Sequence, residues 1–144
     1  MSYRRPRSLQ FGSLSTALLS GRKTVIRVPW SARRAVAFRP GEIVPAYDRR
    51  PREGGHQIAL LRVLERPYHE NSAHIPEPDY EAEGFVFMEE TGATICNRAP
   101  RELWDELRRE PRDLCVIRFQ VVDIVPGAWS GLEQREPREP AGVR

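Results

Sequence analysis

A single lysine, Lys23, stands among 22 arginines. A GC-rich coding bias, to which 13 prolines also point, accounts for arginine wherever a generic positive charge suffices. Lysine offers something arginine does not, a compact ammonium whose pKa falls far enough on burial to act as a base. Lys23 lies within Ala17-Leu18-Leu19-Ser20-Gly21-Arg22-Lys23-Thr24-Val25-Ile26-Arg27. There a short helix stops at a glycine, and a strand starts with a basic pair and a hydroxyl. Even spacing puts Lys23 and Arg27 on one strand face, with Arg22 and Ile26 on the other. An ammonium beside a guanidinium makes an anion-binding spot for a phosphate or a carboxylate. Thr24 should face away from Lys23, and only a β-bulge would turn its hydroxyl inward.

The rest of the chain offers candidates of other kinds. Residues 1–41 hold nine basic residues and no acid, whereas from residue 73 onward fifteen acids face nine basic residues. The formal charge of +3 therefore conceals a basic N-terminal third and an acidic C-terminal half. Such a basic surface suits a polyanion such as RNA, unless the two halves pair their charges in the fold. Arg33, Arg34 and Arg39 can track phosphates or stay solvated in a loop. Trp30 and Tyr47 can stack bases, at about 1–3 kcal/mol each, or pack at a rim. Glu83 can serve as an acid or simply pair at a helix end. His56, His69 and His74 lack metal-ligand spacing, and two cysteines are too few for a disulfide framework or a cysteine zinc site. No glycine-rich phosphate loop or Gly-x-Ser-x-Gly elbow occurs, so no metal and no cofactor are expected.

These side chains need elements to hold them. Residues 1–8 read as a disordered basic arm, Ser8–Phe11 as a short strand, and Ser13–Ser20 as a helix capped by Ser13 or Ser15 and ended by Gly21. Thr24–Val28 is β-prone. Arg39-Pro40-Gly41-Glu42 makes a turn into a strand over 42–47, where Pro45 argues for an edge or a bulge. After a charged loop over 48–55 comes a strand over 57–64, then an extended connection over 66–79. Asp79 can cap a helix from Tyr80 towards Glu90, ended by Thr91-Gly92, although Gly84 interrupts it at about 1 kcal/mol. Pro100 starts a helix with Leu103, Trp104 and Leu107 on one face, Trp104 being core. Leu114–Val125 is the most strand-like run and the expected centre of the sheet. Residues 126–144 read as a flexible tail. This order of elements opposes a Rossmann-type sheet and fits a closed, mostly antiparallel one.

Three stretches resemble the ASCH domains, relatives of the PUA domain. Gly21-Arg22-Lys23-Thr24-Val25 with Arg27 is similar to the family's Gly-x-Lys-Thr-x-Thr-x-Arg stretch. Phe38-Arg39-Pro40-Gly41-Glu42-Ile43-Val44 is similar to its Gly-Asp-x-Val turn, and Glu81-Ala82-Glu83-Gly84-Phe85 to its Glu-Gly-Phe. The resemblance covers residues 9–125. It implies an α+β fold, a small PUA-like β-barrel of mostly antiparallel strands with two or three flanking helices. It also implies a cleft for RNA or a modified nucleoside, lined by Lys23, Arg27 and Glu83, with Arg22, Trp30, Tyr47 and the arginines of 33–39 around it. Some members deacylate N4-acetylcytidine with a Lys, Thr and Glu set, and RNA cleavage is ascribed to others. By position, the Lys falls on Lys23 and the Glu on Glu83, but the nucleophilic Thr falls on Ile26. Thr24 is the hydroxyl that remains.

The expectation is thus a single domain that binds RNA or a modified nucleoside. The alternative is an amidohydrolase or ribonuclease with Lys23 as base and Glu83 as acid, and a third reading is a scaffold whose acidic half meets a protein partner. With no apolar run near 20 residues and no signal-type apolar core, a cytoplasmic location without membrane contact is expected. Nothing sets the oligomeric state, and a monomer is compatible with every motif.

Overall fold

The computed structural model describes residues 7–135. The disordered arm expected over 1–8 and the tail expected over 126–144 therefore lie partly outside the described residues. The apolar run near the C-terminal end forms the longest strand, β6 (Asp113–Ile124), and the sheet is built around it. β2 (Val25–Val28) borders one edge antiparallel, with Val25 opposite Arg118 and Arg27 opposite Val116. β5 (Tyr68–Asn71) and β4 (Gln57–Val63) share the other edge, β5 along 113–116 and β4 along 119–124. β3 (Ile43–Tyr47) continues from β4, and β1 (Leu9–Gln10) adds a short parallel pairing to β3. Pro45 lies just before that pairing begins, at the free edge where its missing N–H costs nothing. The six strands curl into a half-barrel flanked by helices, an α+β architecture.

Alternation along the strands sorts residues to two faces. Ile26, Cys115, Ile117 and Phe119 enter the main core with Leu9, Leu18, Val44, Ile58 and Leu61. A second apolar cluster forms around Trp104, which packs edge-on against Tyr80 and Phe85. Its helices are α3 (Asp79–Ala82), α4 (Phe85–Thr91) and α5 (Pro100–Arg109), the last starting on Pro100 as the sequence suggests.

Several local expectations are corrected. The helix near residue 15 is a 3-10 turn over Gly12–Leu14 followed by α1 (Ser15–Leu19), and no serine side chain caps it. The expected helix from 80 to 90 is two helices, broken at Gly84. Asp79 does not cap α3 through its side chain, because arginines hold its carboxylate. The connection over 66–79 contains β5, and Ser31 caps a one-turn helix, α2 (Ala32–Ala35). The start of the expected tail is a helix, α6 (Ala128–Arg135). Ala128 and Leu132, one turn apart, bury one α6 face on the main core, which gives this polar stretch a reason to order.

Candidate functional site: a buried ion cluster and an arginine groove

The backbone first fixes where Lys23 starts. Gly21 takes a left-handed φ of 82°, and the N–H groups of Arg22 and Lys23 both donate to the Ala17 carbonyl at 3.1 Å. Thr24 then ties the strand to two neighbours: its N–H donates to Ala82 O (2.8 Å), and its carbonyl accepts from Phe119 N–H (3.0 Å). On the facing segment, Glu83 ends α3 and Gly84 follows with φ 92°. A Cβ on Gly84 would lie 2.8 Å from Ala17 Cβ and 3.3 Å from Lys23 Cβ. Only glycine lets the Glu83 turn approach Lys23 this closely.

The result is a cluster of six charges. Lys23 Nζ donates to Glu83 Oε1 (3.1 Å) and to the Glu83 carbonyl (3.0 Å), and Arg27 Nη1 donates to Glu83 Oε2 (2.6 Å). Arg27 also donates through Nε and Nη2 to Glu70 Oε1 (3.1 and 2.7 Å) and through Nη2 to Asp79 Oδ2 (2.5 Å). Arg118 extends the cluster beyond Asp79, donating to both Asp79 oxygens (2.7 and 3.3 Å) and to the Tyr68 hydroxyl (3.1 Å). Three cations thus meet three carboxylates. The Lys23 and Arg27 side chains are only 2% and 4% exposed, so their charges are shielded by partners rather than by water.

Burial dominates the electrostatics of Lys23 and lowers its pKa, with Glu83 pulling the other way and Arg27 adding to the drop. For Arg27, burial also opposes the charge, but Glu83, Asp79 and Glu70 together outweigh it and hold the guanidinium above its usual value. Burial works against the Asp79 carboxylate, yet its bonds to Arg118 and Arg27 bring it below the usual range. A buried amine of lowered pKa beside a carboxylate is equipped to move a proton. What is missing is a nucleophile. Ile26 is packed into the main core on the opposite face, and Thr24 is exposed.

The structure therefore brings Lys23, Arg27 and Glu83 together and separates them from the remaining candidates. Arg22 reaches outward to Glu81 and Glu90, across Phe87. Tyr47 gives its carbonyl to Phe11 N–H and lines neither the ion cluster nor the groove described next. Arg33, Arg34 and Arg39, with Arg7, Phe38 and Glu42, line an open groove of about 1040 Å³. Trp30 stacks on Phe38 (5.4 Å, 27°), and the Arg34 guanidinium lies 3.9 Å over the Trp30 ring. Among the described residues, no group of three His, Cys, Asp or Glu side chains is arranged to hold a metal ion. No helix among them is long and apolar enough to cross a membrane.

Sequence reasoning missed three members of the cluster: Glu70, Asp79 as an arginine partner, and Arg118. One signal was present. Leu114, Val116 and Arg118 alternate on one face of an otherwise apolar strand, and a charge placed there needs an acid above it.

No family model matches the sequence, and no curated protein matches it. Among solved structures, the crystal structure of protein EF3133 from Enterococcus faecalis V583, described as family-model DUF984, is similar with a TM-score of 0.54. The match covers 88% of this chain and 86% of that one at 19% identity, a likeness of fold.

Proposed function

We propose that the protein is an ASCH-like module that binds RNA, or a modified nucleoside within it, through the arginine-lined groove. One observation carries this reading. Arg22, Arg27, Arg98 and Arg118 all hold carboxylates, whereas Arg33, Arg34 and Arg39 have no carboxylate partner among the described residues and converge on one concavity. Guanidinium groups left without acids on a concave surface suit phosphates. The resemblance in the Lys23, Gly41 and Gly84 stretches supports the same reading. A labelled single-stranded RNA should bind at low salt with a log–log salt slope near −0.7 per phosphate contact, so about −2 for three arginines. Changing both Arg33 and Arg34 to Ala should flatten that slope by about 1.4. Absence of binding at low salt would refute the reading.

The contact between Lys23 and Glu83, with the lowered pKa of Lys23, favours a second reading: hydrolysis of an N4-acylcytidine amide or of RNA. With Ile26 at the nucleophile position, neutral Lys23 would take a proton from the attacking water, and Glu83 would relay that proton from Lys23 to the leaving group, the amine of the amide or the 5′ oxygen of RNA. N4-acetylcytidine turnover should then disappear in Lys23→Arg, which keeps the charge but not the basicity. Turnover at the wild-type rate in a folded variant would remove Lys23 from the mechanism.

A further inference from the structure

One aromatic ring, Phe38, lines the groove and packs on Trp30 beside it, and the obvious use for such rings is to stack bases. Their faces are already taken. Trp30 and Phe38 stack on each other, the Arg34 guanidinium covers Trp30 at 3.9 Å, and the Arg7 guanidinium sits over Phe38 at 5.6 Å. The four groups make a column with a cation over each ring. A guanidinium held over an indole can still donate its N–H groups to oxygens beside the ring. The Trp30 main chain is itself anchored, its carbonyl lying 2.9 Å from His69 Nε2 on β5.

Glu42 shows what kind of group the column receives. Its carboxylate accepts from Arg7 Nη2 and from the Arg39 backbone N–H (2.9 Å), so an oxyanion already occupies one end of the groove. The other end, at Arg33 and Arg34, has no such internal occupant among the described residues.

Resting on the RNA reading above, we infer that the groove recognises the phosphate backbone and not the bases, with Trp30 as a positioning residue that shelves Arg34. Binding is therefore indifferent to base identity, and it weakens when the shelf is lost even for a ligand that has no bases. Glu42 competes with ligand phosphate for Arg7 and holds affinity down.

The test compares a 12-nucleotide oligouridylate with an abasic phosphodiester of the same length. The wild-type protein should bind the two within about threefold. Trp30→Ala should weaken both equally, Trp30→Phe should restore both, and Glu42→Gln should tighten both. An abasic strand that binds more than tenfold weaker would overturn the inference and leave the RNA reading standing, since one stacked base contributes roughly 5- to 150-fold. A Trp30→Ala loss confined to the oligouridylate would overturn it in the same way. If neither strand binds at low salt, the RNA reading fails and this inference fails with it.

Discussion

Asp79 holds two arginines on one carboxylate and is itself only 6% exposed. Its native pKa lies below the ordinary value of 3.8, so between the two the unfolded chain binds the proton and the folded protein does not. Stability therefore rises with pH through that window; the contribution is complete above 3.8 and is lost as pH falls through the native pKa. Asp79→Asn should cost about 2–4 kcal/mol at neutral pH, because Arg27 and Arg118 lose a shared counter-charge while Glu83 and Glu70 still hold Arg27. Urea titrations at pH 5 and pH 3 check the sign. The wild type should lose more stability than the variant between those values, and equal losses would show that Asp79 does not carry the acid sensitivity. Lys23 acts in the opposite range: its lowered pKa means that stability recovers as pH rises towards 10.5. At this scale the sequence was partly readable. Even spacing put Lys23 beside Arg27, and the Glu-Gly-Phe resemblance nominated Glu83. Glu70 and Asp79 lie 43 and 52 residues from Arg27, and no local pattern encodes pairing at that distance.

Gly84 is the element that lets this arrangement close. It separates α3 from α4 at φ 92° and presses against Ala17 and Lys23 without a side chain. Gly84→Ala should cost about 2–4 kcal/mol, combining left-handed strain with overpacking against a backbone-anchored alanine. For a domain of this size that lowers Tm by roughly 6–15 °C. It should also push Glu83 off Lys23, so any activity that depends on the pair falls even below the melting range. A thermal scan of the variant with wild-type Tm would contradict the close approach. Composition shows glycine as a helix interruption; it does not show that Ala17 lies against it. β5 escaped sequence reasoning for a different reason. Tyr68-His69-Glu70-Asn71 has no apolar alternation, because the strand stays largely exposed and is held by backbone pairing to β6 rather than by a core face. α6 escaped because, among its described side chains, Ala128 and Leu132 alone join the core, too few to give a periodic signal among Gly, Glu and Gln.

Across the whole molecule, the uneven charge distribution resolves into two parts. Lys23, Arg27 and Arg22 from the basic N-terminal third pair with Glu70, Asp79, Glu81, Glu83 and Glu90, which is the internal pairing that charge counts allow. Arg33, Arg34 and Arg39 stay outside it and define the groove. The internal-pairing reading of the charge pattern therefore applies to Lys23, Arg27 and Arg22, and the groove arginines are the ones the proposed RNA contact would use. Class and the central place of β6 were legible because β6 is strongly apolar and the Gly21 and Pro40-Gly41 turns are explicit; the groove was not, since its shape depends on Phe38 and Trp30 packing side by side. The sheet pattern also has a consequence for biosynthesis. Among the described residues β2 and β5 pair with no strand except β6, so of these a nascent chain that has emerged only to residue 112 holds paired strands in β1, β3 and β4 alone. At about 5–20 residues per second, the roughly 100 residues from β2 to the end of β6 take about 5–20 s to appear. Throughout that interval Arg27 waits in water on an unpaired strand, with Lys23 in the segment leading into it, and the last strand made locks both into place.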